Sequence, residues 1–199
     1  MARVTTAHLV APFRRRLLDG LMRSIVEDGY RSTTVADIVG RARTSRRTFY
    51  EHFASKEECF AALLADVNTS MVQQITAAVD RRATWTAQVR QAVEAWIGYA
   101  ECSPAITVSL IRDLPALGAV GRDLQREMTA AFVAMVQALC STEEWLAVRG
   151  PVSRQLATLL VGGLHELIAT TVEDGGRASD ITETAVEAVV ALLGPPTVR

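Results

Sequence analysis

The stretch that decides the fold reads TTVADIVGRA at residues 33–42, RTS at 43–45 and RRTFYEHF at 46–53. Thr34 and Asp37 have the spacing of a helix-capping box, which predicts a short helix ending near Ala42. Ser45 is placed to cap a second short helix over the seven residues that follow it. Since only three residues remain between the two helices, the stretch predicts a helix-turn-helix.

Both flanks of this stretch are predicted to be helical as well. Apolar residues recur at helical spacing over residues 13–28, and Gly29 stands where a helix end favours a left-handed residue. Ser55 and Glu58 predict a capping box that opens a long helix. We therefore expect a three-helix head over residues 1–54, followed by a larger helical body over residues 55–199.

The body is predicted to contain amphipathic helices without strand-like alternation, so the expected fold is all-α. The predicted helices span about residues 85–101, 104–114, 120–140, 151–172 and 180–193. Their expected starts are a first-turn proline at Pro104, Gly150-Pro151, and Ser179-Asp180 as a cap.

Charge is distributed unevenly along the 199 residues. Residues 1–56 hold eleven basic and five acidic side chains, a balance of +6, and the remainder carries −7. A basic head on an acidic body predicts a polyanion as partner of the head, and a solvated charged face is the alternative. No apolar run approaches the ~18 residues of a membrane helix, and the N-terminus lacks the order of a signal peptide, so we expect a cytoplasmic protein.

Several chemistries lack their sequence signatures. Cys59, Cys102 and Cys140 are an odd number and far apart, which disfavours a disulfide framework or a paired-cysteine zinc site and favours buried small hydrophobes. We find no metal-ligand spacing, glycine-rich phosphate loop or nucleophile–base pair. The expectation is a protein without cofactor or metal that is not an enzyme, with a helical enzyme as the remote alternative.

The second helix of the turn carries residues that suit DNA. Such a helix enters the major groove with its N-terminal residues at base edges, and these are Arg46 and Arg47. The arginine fork reads guanine through two hydrogen bonds. Donors that could hold phosphates surround them: Thr34, Ser45, Thr48, Tyr50, His52 and Lys56. Phe49 and Phe53 are expected in the head's core, and Arg14 to Arg16 fit either a phosphate contact or a solvated helix face.

Residues 33–42, 44–53 and 55–58 together resemble the N-terminal signature of the tetracycline-repressor (TetR) family. The specific part is Thr48-Phe-Tyr-x-His-Phe followed by Ser-Lys-Glu, and the close match covers about residues 13–64. The resemblance implies an all-helical homodimer with one helix-turn-helix head per subunit. It also implies a body that dimerises through its last two long helices and often holds a ligand.

Position by position, the resemblance implies that Arg46, Arg47 and Thr48 face bases. It places Thr34, Ser45, Tyr50, His52 and Lys56 near phosphates. The chain departs from the family at Arg43, where glycine is common and a left-handed arginine would cost roughly 1 kcal/mol. It departs again at Val39, which replaces a small alanine between the two short helices.

The body carries a weaker signal for a ligand. A cavity among its apolar helix faces would be lined by Trp96, Tyr99, Phe132, Met135, Leu164 and His165. Such a wall suits a hydrophobic or aromatic effector, and a plain core is the alternative. A ridge of Thr158, Gly162, His165 and Ala169 is predicted to lie at the dimer seam.

The predicted function is a dimeric, sequence-specific DNA-binding transcription regulator that acts on a palindromic double-stranded operator. A repressor released by a small hydrophobic ligand is the favoured form. A ligand-independent regulator or an activator of the same fold is the alternative.

Overall fold

The computed structural model describes residues 7–148 and 150–194, with the backbone alone for residues 7–11 and 148. Within these residues the chain forms ten α-helices, two 3-10 turns (Leu114–Leu117 and Ala178–Ile181) and no strand. The helices are α1 Ala7–Asp28, α2 Val35–Arg41, α3 Arg46–His52, α4 Lys56–Ala78, α5 Trp85–Cys102, α6 Pro104–Arg112, α7 Gly118–Leu139, α8 Glu143–Val148, α9 Arg154–Glu173 and α10 Thr182–Leu193. The all-α prediction is confirmed.

The local signals of the head form as predicted. The Thr34 hydroxyl accepts the Asp37 N–H while the Asp37 carboxylate accepts the Thr34 N–H at 2.8 Å, which completes the capping box that opens α2. The Ser45 hydroxyl accepts the Thr48 N–H at the start of α3. Gly29 ends α1 with a φ of +78°. At α4 the box is only half formed, because the Glu58 carboxylate accepts the N–H of Ala54 instead of that of Ser55.

Two helix starts in the body differ from the prediction. Gly150 has a φ of +84°, so the chain turns there, and α9 begins only at Arg154, where the Ser153 hydroxyl accepts the Leu156 N–H. Asp180 accepts the Arg177 N–H and thus caps a 3-10 turn, and α10 begins after it at Thr182. The short helix α8 was not predicted, and α6 stops at residue 112.

The head and body share buried surface. Phe49 and Phe53 lie in the head's core, as expected, and this core continues onto α4 and α6 through residues such as Phe60 and Leu110. A second core joins α5, α7, α9 and α10 around Trp96. Cys59 and Cys140 are buried in these cores, but Cys102 is exposed, contrary to the expectation for all three cysteines.

Helix α9 is more apolar than the sequence inspection suggested. It is long and apolar enough to cross a membrane by length and composition, and a third of its most apolar stretch is buried. One such helix is weak evidence for a membrane span, because core helices pass the same test. In this fold α9 packs against α6, α7 and α10.

Helices α1 and α2 approach each other closely at Gly20. A Cβ atom on this residue would lie 2.7 Å from the Ile38 carbonyl oxygen and 3.2 Å from the Ala42 Cβ. Both neighbours belong to buried parts of the head's core. The close crossing therefore requires a residue without a side chain on α1.

We predict that Gly20→Ala lowers the free energy of unfolding by about 1–3 kcal/mol, because the added methyl overpacks a tight helix crossing. Gly40→Ala is the matched control, since Gly40 is an exposed residue of α2 with open space around it and alanine is the better helix former by about 1 kcal/mol. Urea unfolding followed by circular dichroism measures both. Equal stability of Gly20→Ala and the native chain would contradict the tight crossing.

Candidate DNA-binding surface and ligand cavities

The first turn of α3 presents its arginines to solvent. Arg46 and Arg47 are both exposed, and the Arg47 side chain is 90% accessible. The Arg47 guanidinium donates to the Glu51 carboxylate one helical turn away at 3.1 Å. Because exposed pairs of this kind contribute little, that side chain can leave Glu51 for another acceptor. Thr48, the third residue predicted to face bases, is half-buried.

The turn before α3 keeps the left-handed geometry in spite of its arginine. Arg43 has a φ of +50°, the single positive φ outside glycine in the described chain. Arg16 of α1 donates to the carbonyls of Ala42 and Arg43 at 2.6 and 2.7 Å, and the Thr44 N–H bonds to the Val39 carbonyl at 3.0 Å. Arg16 thus holds the turn, a role that the sequence inspection missed because its acceptors lie 26 and 27 residues away.

The residues predicted near phosphates differ in their hydrogen bonds and in their exposure. Thr34 and Ser45 use their hydroxyls as helix caps, and the Ser45 hydroxyl also lies 3.0 Å from that of Thr48. Tyr50 is 58% exposed and stands edge-on to Phe49. His52 is half-buried. These side chains stay candidates for phosphate contact.

The Lys56 ammonium already donates hydrogen bonds within the protein. It donates to the backbone carbonyls of Tyr30 and Thr33 at 3.1 and 2.9 Å and lies 4.4 Å from the centre of the Tyr30 ring. An ammonium has three donors, so one N–H is left for a further acceptor such as a phosphate. Lys56 therefore also fastens the loop after α1 to the start of α4.

Several basic side chains of the head are paired internally. Arg41 binds the carboxylates of Glu27 and Asp28, and Arg15 binds Asp19. The Arg14 guanidinium lies 3.8 Å from the Asp66 carboxylate. The net positive charge of the head is therefore carried outward mainly beside the turn and on α3.

The six residues predicted to line a ligand cavity do not meet in one space. Trp96 stacks on Phe132 with ring centres 4.6 Å apart, and His165 stands edge-on to both rings. Phe132, the second ring of this stack, is fully buried and lines none of the described cavities. Trp96, Met135 and Leu164 line an apolar void of about 50 Å³, whereas Tyr99 and His165 do not line it.

Two larger cavities lie on either side of α6. The first, between α4, α5 and α6, has about 260 Å³ and includes Trp96, Tyr99 and His165 in its wall. The second, between α6, α7 and α9, has about 270 Å³ and is lined in part by Thr129 and again by His165. We call them the first and second cavity. Both also contain Leu110 in their walls.

His165 is the one imidazole between these cavities, and its surroundings keep it neutral. Burial lowers the pKa of His165 to about 4. Its Nε2 atom is buried without a hydrogen-bond partner among the described residues. A buried polar atom normally has a partner, so this atom can bind a group from outside the described residues.

Helix α6 is linked to both the head and α9 by ion pairs that the sequence inspection missed. Arg31, in the loop after α1, donates to the Asp113 carboxylate at 3.1 Å just past the end of α6. Arg112 binds Glu166 and Glu173 of α9 through four hydrogen bonds of 2.8–2.9 Å, and it lowers the pKa of both carboxyls. A shift of α6 would therefore change its ion pairs with both the head and α9.

The ridge predicted for a dimer seam is split by the fold. Ala169 is fully buried, and His165 is half-buried with its ring edge-on to Trp96, so neither lies on the outer surface of α9. Thr158 and Gly162 are exposed, together with Leu159 at 61%. The outward face of α9 therefore includes Leu159 beside Thr158 and Gly162, and excludes the other two residues of the predicted ridge.

Two short helices joined by the four residues 42–45, with a basic second helix, define the head as a helix-turn-helix unit. Residues 17–63 match the family described as bacterial regulatory proteins, tetR family. The curated relative YvkB of Bacillus subtilis, an uncharacterized HTH-type transcriptional regulator, is 37% identical over 54 residues, which span 27% of this chain and 29% of YvkB. The resemblance to the TetR family is therefore confirmed for the head of the chain, over residues 17–63.

The whole fold agrees with this assignment. The fatty acid degradation regulator FadR from Bacillus halodurans superposes with a TM-score of 0.70 at 16% identity, over 94% of this chain and 97% of FadR. FadR from Bacillus subtilis, in complex with stearoyl-CoA, gives 0.71 at 15% identity over 89% and 97%. These likenesses show that the chain has the same helical fold as the two regulators. Among the described residues no group of three His, Cys, Asp or Glu side chains could hold a metal ion.

We predict that the stability of the chain falls between pH 7 and pH 5 because of His165. Its folded pKa of about 4 lies below the unfolded value of 6.5, so the unfolded state binds a proton at higher pH than the folded state. Acidification therefore stabilises the unfolded state relative to the folded state. The expected loss at pH 5 is about 2 kcal/mol of unfolding free energy. The carboxyls whose pKa is lowered, such as those of Glu101 and Glu183, act only below about pH 4.5.

Urea unfolding of the native chain and of His165→Gln at both pH values measures this loss. The His165→Gln chain should lose much less stability on acidification, whereas His52→Gln in the head should behave like the native chain. The same acid sensitivity in native and His165→Gln proteins would show that His165 is not the group that titrates.

Proposed function

We propose that the chain is a dimeric, sequence-specific DNA-binding repressor that a small hydrophobic molecule releases from its operator. The observation that carries the proposal is the construction of α3. Its buried side, Phe49, fixes the helix on the head, and its opposite side presents Arg46 and Arg47 to solvent. An arginine pair at the start of a recognition helix is suited to guanine edges in the major groove.

The side chains around α3 suit the phosphate backbone. Thr34, Ser45, Tyr50, His52 and Lys56 offer hydroxyl, imidazole and ammonium donors on either side of the helix. Phosphate contacts hold the register and the arginines read the bases, with Thr48 as a third base-facing candidate. A DNA-bound regulator acts in the cytoplasm, which is where we place the chain.

The proposed dimer forms through the outward faces of α9 and α10. The exposed part of α9 carries Leu159, Gly162 and Gly163, and that of α10 carries Ala188 and Ala191. A half-exposed leucine beside two glycines suits close helix packing against a second copy. Two heads on one dimer must place their recognition helices about 34–36 Å apart, or a multiple of that, to meet a palindromic site.

The proposed release works through α6. Both larger cavities border this helix, and the Arg31–Asp113 pair ties its end to the head. A molecule that favours one arrangement of α6 over another shifts the spacing of the heads and lowers DNA affinity by its differential binding. FadR from Bacillus subtilis, which shares this fold, binds stearoyl-CoA.

A mobility-shift assay with DNA from upstream of the chain's own gene tests the proposal. Arg46→Ala or Arg47→Ala should each cost about 1–3 kcal/mol on the cognate site and relax base preference at one position. Lys56→Ala should weaken cognate and random DNA alike and reduce the salt slope by about one. It should also lower stability, because the carbonyls of Tyr30 and Thr33 lose their donor.

Arg126→Ala is the matched control for Arg47→Ala. Arg126 is an exposed arginine of the body that pairs with Asp123 at 2.8 Å, much as Arg47 pairs with Glu51. Its loss should leave DNA binding unchanged. Native affinity and native base preference in both arginine variants of α3 would mean that this helix is not the reader.

A further inference from the structure

The first and second cavities meet at two shared side chains. Leu110 of α6 and His165 of α9 are the residues present in both walls. Each cavity of about 260–270 Å³ is small for a drug-sized ligand, whose pockets hold about 300–1,000 Å³, but their sum falls inside that range. These two side chains therefore lie at the border between the two cavities.

The two cavities differ in polarity. The first is walled mostly by apolar side chains, among them Met22, Val67, Met71 and Ile106. The first cavity also has Gln74, Ser103 and Thr107 in its wall. The second is the more polar of the two and is lined by Gln125, Thr129 and Thr158. A ligand that fills both would place its apolar end in the first cavity and a polar end in the second.

Charge decides the class of ligand. No Lys or Arg lies among the residues that line either cavity, and the single charged wall residue is Glu166. Its carboxylate is already held by two hydrogen bonds of 2.9 Å from Arg112, whose other donors bind Glu173. An anionic group would enter without a cation to neutralise it, and burying an unpaired charge is costly.

The His165 imidazole is suited to bind a polar group of the ligand. His165 is enclosed by the Trp96 and Phe132 rings at 5.0 and 5.3 Å, and its Nε2 is buried without a partner. A neutral imidazole offers one donor and one acceptor, so a hydroxyl group can pair with it in either sense. An aliphatic side chain at this position would have packed without leaving a polar atom unpaired.

From these observations we infer that the two cavities form one bent effector site joined at Leu110 and His165, which takes an uncharged, elongated apolar molecule with one hydroxyl group bound to His165. The inference deepens the proposed function and rests on it for the regulatory meaning of the site. It also separates this chain from the acyl-CoA ligand of its structural neighbour, whose phosphates would need cations that these walls lack.

Calorimetric titration of the full chain with 4-hexylphenol, 4-hexylbenzoate and hexylbenzene tests the anchor. The phenol should bind at least ten-fold more tightly than the benzoate. His165→Leu should weaken the phenol about three- to ten-fold, the loss of one buried hydrogen bond, and leave hexylbenzene unchanged. Equal affinity of phenol and benzoate, an unchanged phenol affinity in His165→Leu, or no heat of binding with any of the three would overturn the inference.

A comparison of 4-ethylphenol with 4-hexylphenol tests the connection between the cavities. In the native chain each added methylene should raise affinity about three- to four-fold until both cavities are filled. Leu110→Trp should remove that gain and leave 4-ethylphenol within two-fold of its native affinity, whereas Leu146→Trp on the exposed part of α8 should change neither. A native length dependence in Leu110→Trp would show that the cavities act separately.

The same preparations are assayed for DNA binding by mobility shift, which keeps the two proposals apart. A chain that shifts its DNA but shows no His165-dependent phenol binding refutes the effector site and leaves the regulator proposal intact. A chain that binds 4-hexylphenol through His165 but no DNA refutes the proposed function alone. With both intact, saturating 4-hexylphenol should lower DNA affinity about 5- to 150-fold.

Discussion

The geometry of the head depends on the contact between one face of α1 and the end of α2. Gly20 lets the Ile38 carbonyl come within a distance that no Cβ would permit, and Arg16, one helical turn earlier, binds the carbonyls of Ala42 and Arg43. These two contacts set where α2 stops and hold the left-handed Arg43. Since α3 begins three residues later, the direction of the recognition helix follows from them.

The same rigid unit reaches the body through α6. The core under α3 continues to Leu110, the Arg31–Asp113 pair joins the loop after α1 to the end of α6, and Arg112 joins α6 to α9. In the proposed release, a change around α6 would reach the head through these contacts. In this arrangement His165 has an unusual position, because it is a neutral polar group left unpaired next to the helix that connects the parts.

Local sequence signals predicted the head well because the deciding interactions lie within four residues of each other, as in the Thr34–Asp37 box and the Ser45 cap. They failed where competing signals were close together. Gly150-Pro151 predicts a helix start. The positive φ at Gly150 instead makes the chain turn there, and Ser153 caps α9. The role of Arg16 and the isolation of Phe132 from any cavity depend on contacts across many residues, which no spacing in the sequence encodes. Whether the named side chains touch DNA stays a prediction.

The proposed function requires that two identical heads present α3 to DNA as a fixed pair. Selection of binding sites by the purified chain from random double-stranded DNA, followed by sequencing, measures this most directly. We predict an enriched inverted repeat whose half-sites are centred one helical turn apart, about 10 base pairs, or a multiple of that, with guanine at the positions facing Arg46 and Arg47. Enrichment of a single unrepeated element, or none above the starting pool, would contradict it.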